Sequence, residues 1–239
     1  MIFYKKLKPI KAITFDLDDT LYENTSVIKK ANAALIEFMY ANFPETTKLE
    51  QDYWKKLQTI IVKQSPILKN DMGKLRLQTL LLGFENLGYS QSKAQNSAQE
   101  CFTFFYSQRS NFVVRDEVHH VLAQLSKHIP LVAITNGNVD LEPIGIQEYF
   151  SQAFRASVDL LMKPNPDMFI AAQEYLKLPA SNILHVGDNL HKDVYGAIKA
   201  GYQSAWYADD RAMVLQNEST ISLPNVQLAK LEELLGLVF

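Results

Sequence analysis

Hydrophobic and polar positions follow two rhythms along this chain. From Leu131 onward, short β-branched or apolar runs alternate with helical spacings: Leu131 to Thr135, Ala153 to Val158, Ile183 to Val186 and Gln203 to Tyr207. Such runs, bounded by polar turns, predict buried strands, and their interleaving with helices predicts a parallel sheet joined by crossovers. The helices in this half are Asp167 to Leu176, introduced by a proline, and Asp193 to Ala200, ended near Gly201. Ala12 to Phe15 predicts the first strand. The next stretch of chain has a different rhythm: from about Asn24 to Asn111 apolar residues recur at three and four, as in Ile28, Ala31, Leu35, Phe38 and Met39, and in Trp54, Leu57 and Ile61. This spacing predicts a bundle of about four helices, broken near Phe43-Pro44, Ser65-Pro66 and Gly88-Tyr89. Leu223 to Phe239 fits a short edge strand around Asn225 to Leu228 and a closing helix. The fold class is therefore α/β, with a core at 1–22 and 112–239 and a helical insert at 23–111.

Composition narrows the setting more than the fold. With 239 residues there is room for a large core plus an insert. The 24 basic and 26 acidic residues, in no long block of one sign, give a formal net charge of -2 and predict no nucleic-acid partner. Cys101 is the only cysteine, which excludes an intrachain disulfide. The start Met-Ile-Phe-Tyr-Lys-Lys-Leu-Lys-Pro lacks the apolar core of a signal peptide, and no apolar run approaches a membrane span. A cytoplasmic protein, not membrane-bound, is the expectation, as a monomer or small homo-oligomer.

Candidate chemistry gathers where strands end. Asp16-Leu17-Asp18-Asp19-Thr20 comes directly after the run Ala12 to Phe15. In open α/β sheets ligands bind outside the carboxyl ends of the strands, and alternation sends Asp16 and Asp18 to the same side. Two carboxylates held that close require a cation or a shared proton. Thr135-Asn136-Gly137 ends the next strand with a hydroxyl and backbone amides suited to phosphate oxygens. Lys163-Pro164 offers a cation on a stiffened loop, and Gly187-Asp188-Asn189 with Asp193 adds carboxylates able to complete a hard-cation site. Each segment also has a plainer reading: an acidic turn capping a helix, an Asn-Gly turn, a solvated lysine, and a helix cap at Asp188 and Asn189.

In this order the four segments resemble the four motifs of the haloacid dehalogenase superfamily, over the whole chain. The wording Ala12 to Tyr22, Pro130 to Asn138 and Ile183 to Asp188 is similar to its bacterial branch of flavin mononucleotide and 5-amino-6-(5-phospho-D-ribitylamino)uracil phosphatases. The resemblance implies a doubly wound, Rossmann-like core and a helical cap of the C1 type. It implies a phosphatase acting through an aspartyl-phosphate on Asp16, with Asp18 as acid and base. Mg²⁺ would be held by Asp16, the main-chain carbonyl of Asp18 and Asp188, while Asp193 orients Lys163 or a water on the metal. Thr135, the amide of Asn136 and Lys163 would hold the non-bridging oxygens, and Asp19 and Thr20 would shape the loop that presents Asp18. The substrate class is a small phosphate ester. A broad sugar-phosphate or nucleotide phosphatase, a phosphomutase and a non-catalytic binding module are the alternatives. Tyr22, Asn24 and Arg76 are the candidate substrate contacts. The insert's many aromatic residues read as bundle core, and His185, Cys101 and Met72 as packing or surface residues without chemistry.

Overall fold

The computed structural model describes residues 1–50, 52–219 and 221–238, so Phe239 at the end of the expected closing helix lies outside the described residues. Two compact units emerge, one of residues 1–24, 113–137 and 144–239, the other of 25–112 and 138–143.

The first unit is built on a seven-stranded sheet. Its strands are β1 (Ile2–Phe3), β2 (Ala12–Phe15), β3 (Leu131–Thr135), β4 (Gln152–Arg155), β5 (Ile183–Gly187), β6 (Gln203–Trp206) and β7 (Val226–Gln227). Their order is β1-β7-β6-β5-β2-β3-β4, parallel throughout except that β1 runs antiparallel to β7. From β2 the chain winds outward through β3 to β4, then returns to β5 on the other flank of β2 and winds through β6 to β7. This is a doubly wound sheet whose direction reverses between β2 and β5, where ligands bind in such folds. β2, β3, β5 and β6 are buried along their whole length, and β2, β3 and β5 accordingly read as mainly apolar runs rather than alternating ones. The expected strand at Asn225 to Leu228 exists as β7, but it lies inside the sheet; the edge is β1, whose two exposed residues are too few to show a period.

In chain order the helices are α1 (Asn24–Asn42), α2 (Tyr53–Gln64), α3 (Met72–Asn86), α4 (Gln91–Arg109), α5 (Asp116–Ser126), α6 (Asp167–Leu176), α7 (Gly196–Lys199) and α8 (Leu235–Val238). The last four belong to the sheet unit. Met168, Phe169 and Ala172 of α6 and Ala197 of α7 join Ala12, Val132, Ile134 and Ile183 in one core. α5 buries the stripe Val118, Val121, Leu122 and Leu125. Where a helix from Asp193 was expected, Leu190–Tyr195 forms a π-helical turn that leads into α7. Such wide turns cluster at functional sites.

In the second unit α1 to α4 pack around Leu35, Met39, Leu80, Phe84, Ala98, Cys101 and Phe105. Prolines 44 and 66 open short 3₁₀ turns after α1 and α2, and Gly88 takes a left-handed φ of 82° between α3 and α4. Asn138–Pro143 joins this unit, an assignment invisible in its sequence.

Candidate active site

The site is assembled from the carboxyl ends of β2, β3 and β5 and the loop after β4. Asp16 leaves β2 with its N–H donating to the Val186 carbonyl of β5 at 2.8 Å, which fixes the carboxylate at the reversal of the sheet. Beyond it the chain turns sharply. Asp19 adopts a left-handed φ of 62°, which a short acidic side chain tolerates, and its Oδ1 accepts the N–H of Asn24 at 2.8 Å. The helix-capping duty thus falls to Asp19, leaving Asp16 and Asp18 for the pocket. Asp18 Oδ1 accepts a hydrogen bond from the Tyr22 hydroxyl at 2.6 Å. Its Oδ2 lies against Gly137, where an added Cβ would stand 2.5 Å away, so a side chain at 137 would push the Asp18 carboxylate from this position.

Lys163 lies between the acids. It is 1% exposed and spends three donations inside the protein: to Asp16 Oδ1 at 2.6 Å, Asp193 Oδ1 at 2.7 Å and the Ile134 carbonyl at 2.7 Å. Asn136 explains how the loop is held, since its side chain accepts the Lys163 N–H at 2.8 Å and donates to the Lys163 carbonyl at 3.1 Å. Thr135 Oγ1 accepts the N–H of Gly137 at 2.9 Å, closing a hydroxyl-backed turn. The Thr20 hydroxyl lies 3.5 Å from Asp16 Oδ2, a long contact.

Asp193 owes its position to the π-helical turn. Asn189 caps that turn through the N–H groups of His191 and Lys192, and its own N–H donates to Asp193 Oδ2 at 3.0 Å. Behind Asp193 stands His185, which the sequence alone left without chemistry. Its Nε2 is 3.2 Å from Asp193 Oδ1 and its Nδ1 is 2.8 Å from the hydroxyl of Thr14, its direct partner on β2. A buried chain therefore runs Thr14, His185, Asp193, Lys163, Asp16. Burial holds His185 below its usual pKa, so the ring is neutral, Thr14 donates to Nδ1 and Nε2–H donates to the carboxylate. A histidine paired with a threonine across two otherwise apolar strands was the available sequence signal. Arg211 and Trp206 were also missed. The Arg211 guanidinium donates to Asp188 Oδ2 and to the Asp188 carbonyl, both at 3.0 Å, and Trp206 Nε1–H donates to that carbonyl at 2.6 Å.

The charges do not balance. Burial raises Asp16 well above the usual carboxylate range, with Asp193 and Asp188 adding to the rise and Lys163 opposing it. Burial and the Asp193 charge push Asp188 up to about 7 against the pull of Arg211. Burial works against Asp193 too, but Lys163 and His185 more than offset it and hold that carboxyl ionised. Lys163, despite its burial, is raised by Asp16 and Asp193 and stays charged. Such a site is short of positive charge. Oxygens of Asp16, Asp188 and Asp193 lie within 4.8 Å of one another. Both Asp193 oxygens are engaged, whereas Asp16 Oδ2 has only the long contact from Thr20, and Arg211 donates to one Asp188 oxygen. This donor set fits a hard cation that retains several waters.

These groups line a pocket of about 190 Å³, together with Asn24 and Lys192. At about 30 Å³ for each water in the liquid, that volume accepts a phosphoryl group and a few waters. Arg76, the remaining candidate contact, stands on α3 in the helical unit with its guanidinium 3.5 Å from the centroid of the Phe105 ring.

A doubly wound sheet with this acid and lysine cluster at its reversal defines a class of hydrolase, and the comparisons agree. A family model of haloacid dehalogenase-like hydrolases matches residues 10–201, and the chain belongs to that family. Over 238 residues, all of both chains, it is 34% identical to the 5-amino-6-(5-phospho-D-ribitylamino)uracil phosphatase YigB of Escherichia coli (strain K12). It is 24% identical to a glyceraldehyde 3-phosphate phosphatase of Methanopyrus kandleri, covering 96% of this chain and 97% of that one. A solved structure titled 2-haloacid dehalogenase, from Pseudomonas syringae pv. tomato, superposes with a TM-score of 0.88 at 32% identity, over 96% and 98% of the two chains. The protein is a phosphoric monoester hydrolase of this family.

Proposed function

We propose that the protein hydrolyses a small organic phosphate ester with Mg²⁺ through a phosphoryl group carried on Asp16, and that its substrate is flavin mononucleotide or 5-amino-6-(5-phospho-D-ribitylamino)uracil. The pairing of Asp16 with a second acid, Asp18, at one strand end carries the reaction. The 34% identity to the ribitylaminouracil phosphatase supports the substrate.

Asp16 attacks phosphorus, so that a carboxylate oxygen to phosphorus bond forms as the ester bond breaks, and Asp18 gives its proton to the departing alkoxide. In the second step Asp18 takes a proton from water, the water oxygen bonds to phosphorus and the Asp16 carboxylate leaves. Lys163 keeps Asp16 Oδ1 fixed and sets a positive charge beside the transferring group, while the Thr135 hydroxyl and the Asn136 amide face its oxygens. Mg²⁺, held by Asp16, Asp188 and the Asp18 carbonyl, supplies the charge this cluster lacks. Asp193 acts through Lys163, and Thr20 steadies the loop. Tyr22 acts on Asp18 through its hydroxyl, and Asn24 meets the substrate at the pocket rim.

Asp18 also separates this chemistry from dehalogenation. Halide leaves without a proton, whereas an alkoxide needs one. Phosphate release from a panel of phosphorylated metabolites, with Mg²⁺ and with a chelator, tests the proposal. Chelator-sensitive release highest on the two named compounds is expected. Chloride release from 2-chloropropionate without phosphate release would overturn the reaction, and preference for sugar phosphates would overturn the substrate.

A further inference from the structure

The helical unit contains a groove of about 370 Å³ between α1, α2 and α3. Its floor is apolar, formed by Leu35 and Met39 of α1 and Leu80 of α3, with the half-buried Trp54 ring of α2 beside them. Its polar lining is one-sided. Lys55 and Arg76 are the charged residues and both are cations; Asn32 and Gln58 add amides, and no carboxylate lines the groove among the described residues. Among those residues, too, none of the Asn32, Lys55, Gln58 and Arg76 side chains makes a hydrogen bond or an ion pair.

The bundle's own needs do not explain this arrangement. An arginine taken partly out of water is ordinarily paired with a carboxylate or with carbonyls, because withdrawing a charge from solvent without a partner is costly. Arg76 instead has only the face of Phe105, and burial together with the nearby positive charge of Arg109 lowers it to about 10. Trp54 is seated against Gly83, where an added Cβ would fall 2.1 Å from the indole ring, so the ring is fixed in position and not free to collapse into the groove. A fixed aromatic wall, an apolar floor and uncompensated donors are the complement of one kind of ligand.

We propose that the α1–α2–α3 groove binds an organic anion with a planar ring, the ring against Trp54 and the negative group on Arg76 and Lys55. The volume falls in the usual range of small-molecule pockets. The inference goes beyond the phosphatase reading, because it concerns binding in the helical unit and is read without turnover.

The experiment is calorimetric titration of the full chain with 2-naphthoate and with the neutral 2-naphthalenemethanol. Saturable 2-naphthoate binding is expected, with the neutral analogue weaker by about tenfold or more, the worth of a charge-assisted hydrogen bond. Arg76→Met should weaken 2-naphthoate about tenfold. Since Arg76 also packs on Phe105, the exposed Lys55→Met serves as a second variant and should weaken it severalfold with the thermal midpoint unchanged. Absence of binding, equal binding of the two probes, or affinity untouched by both substitutions would overturn the proposal. Competition then identifies the source of the ring. Displacement of 2-naphthoate by flavin mononucleotide would make the groove a seat for the ring of a phosphate ester; simultaneous binding would make it the site of a separate ligand. Loss of phosphatase activity in every preparation would sink the reaction proposed above and leave these titrations standing.

Discussion

The two units treat the polar groups around their pockets in opposite ways. In the sheet unit Lys163 spends its donors on Asp16, Asp193 and Ile134, Asp193 has both oxygens engaged, and both ring nitrogens of His185 are used. In the helical unit Arg76, Lys55, Asn32 and Gln58 surround a groove and bond to nothing among the described residues. Satisfied networks are rigid and specific, so the reacting groups are in place before a substrate arrives. Unspent donors around a groove are the condition of a site still waiting for its partner. The sheet unit closes its network within the fold, whereas the groups around the groove are ones the fold does not need.

The sharpest way to break this contrast is at Asp16. Asp16→Asn keeps the size and the contact with Lys163 but removes the nucleophile, and turnover should fall on the order of 10⁴-fold or more, with 2-naphthoate binding unchanged. Phosphate release and calorimetry on one preparation check both halves. Residual turnover near wild type would mean that another group attacks phosphorus.

His185→Leu comes next. The substitution leaves Asp193 without one of its donors in a fully buried place, at a cost of about 1–3 kcal/mol in stability. It should also lower turnover about a hundredfold by letting Asp193, and with it Lys163, drift. Urea unfolding and kcat together decide it. A loss of stability with kcat intact would show that the chain from Thr14 to Asp16 holds the fold and leaves the reaction alone.

How far this site was legible depends on where each residue gets its meaning. Asp16, Asp18, Thr135, Lys163, Asp188 and Asp193 stand at strand ends or beside turns, and the apolar runs before them announce those positions. His185 lies inside such a run, and its role depends on Thr14 of the neighbouring strand and on Asp193 beyond the turn, both of which only the register supplies. Arg211 reaches Asp188 from a loop past β6 with no pattern to mark it. In the fold, the buried strands and the proline and glycine helix breaks were readable. The two-residue β1, the interior place of β7, the π-helical turn at Leu190–Tyr195 and the membership of Asn138–Pro143 in the helical unit were not, because each is decided by distant contacts.

A smaller effect is expected at Tyr22. Its hydroxyl donates to Asp18 Oδ1 at 2.6 Å, so Tyr22→Phe removes that hold on the acid while the buried ring keeps its packing. Turnover of alkyl phosphates, whose leaving group needs a proton, should fall about tenfold, a fraction of the full worth of general acid catalysis. Turnover of p-nitrophenyl phosphate, whose leaving group departs unprotonated, should change little. An equal loss on both substrates would move the effect of Tyr22 off leaving-group protonation and onto the water step that both share.

The smallest expected effect separates the units by pH. Asp188 is raised to about 7 in the metal-free protein, by burial first and then by the Asp193 charge. A proton on Asp188 competes with a cation for the same oxygens, so Mg²⁺ affinity should fall about twofold from pH 8 to 7 and roughly tenfold by pH 6, with proton release on binding. The folding linkage has the opposite slope. Above the unfolded carboxylate pKa the native state holds the extra proton, so this group's contribution to the stability of the metal-free protein declines as pH rises from about 4 to about 7, then levels off. Mg²⁺ should restore that loss, so the gain in thermal midpoint on adding it should grow with pH up to about 8. Binding of 2-naphthoate has no such carboxylate in its path, because no acid among the described residues lines the groove, and should stay flat from pH 6 to 8. Mg²⁺ affinity that is equally flat would mean that Arg211 already keeps Asp188 ionised.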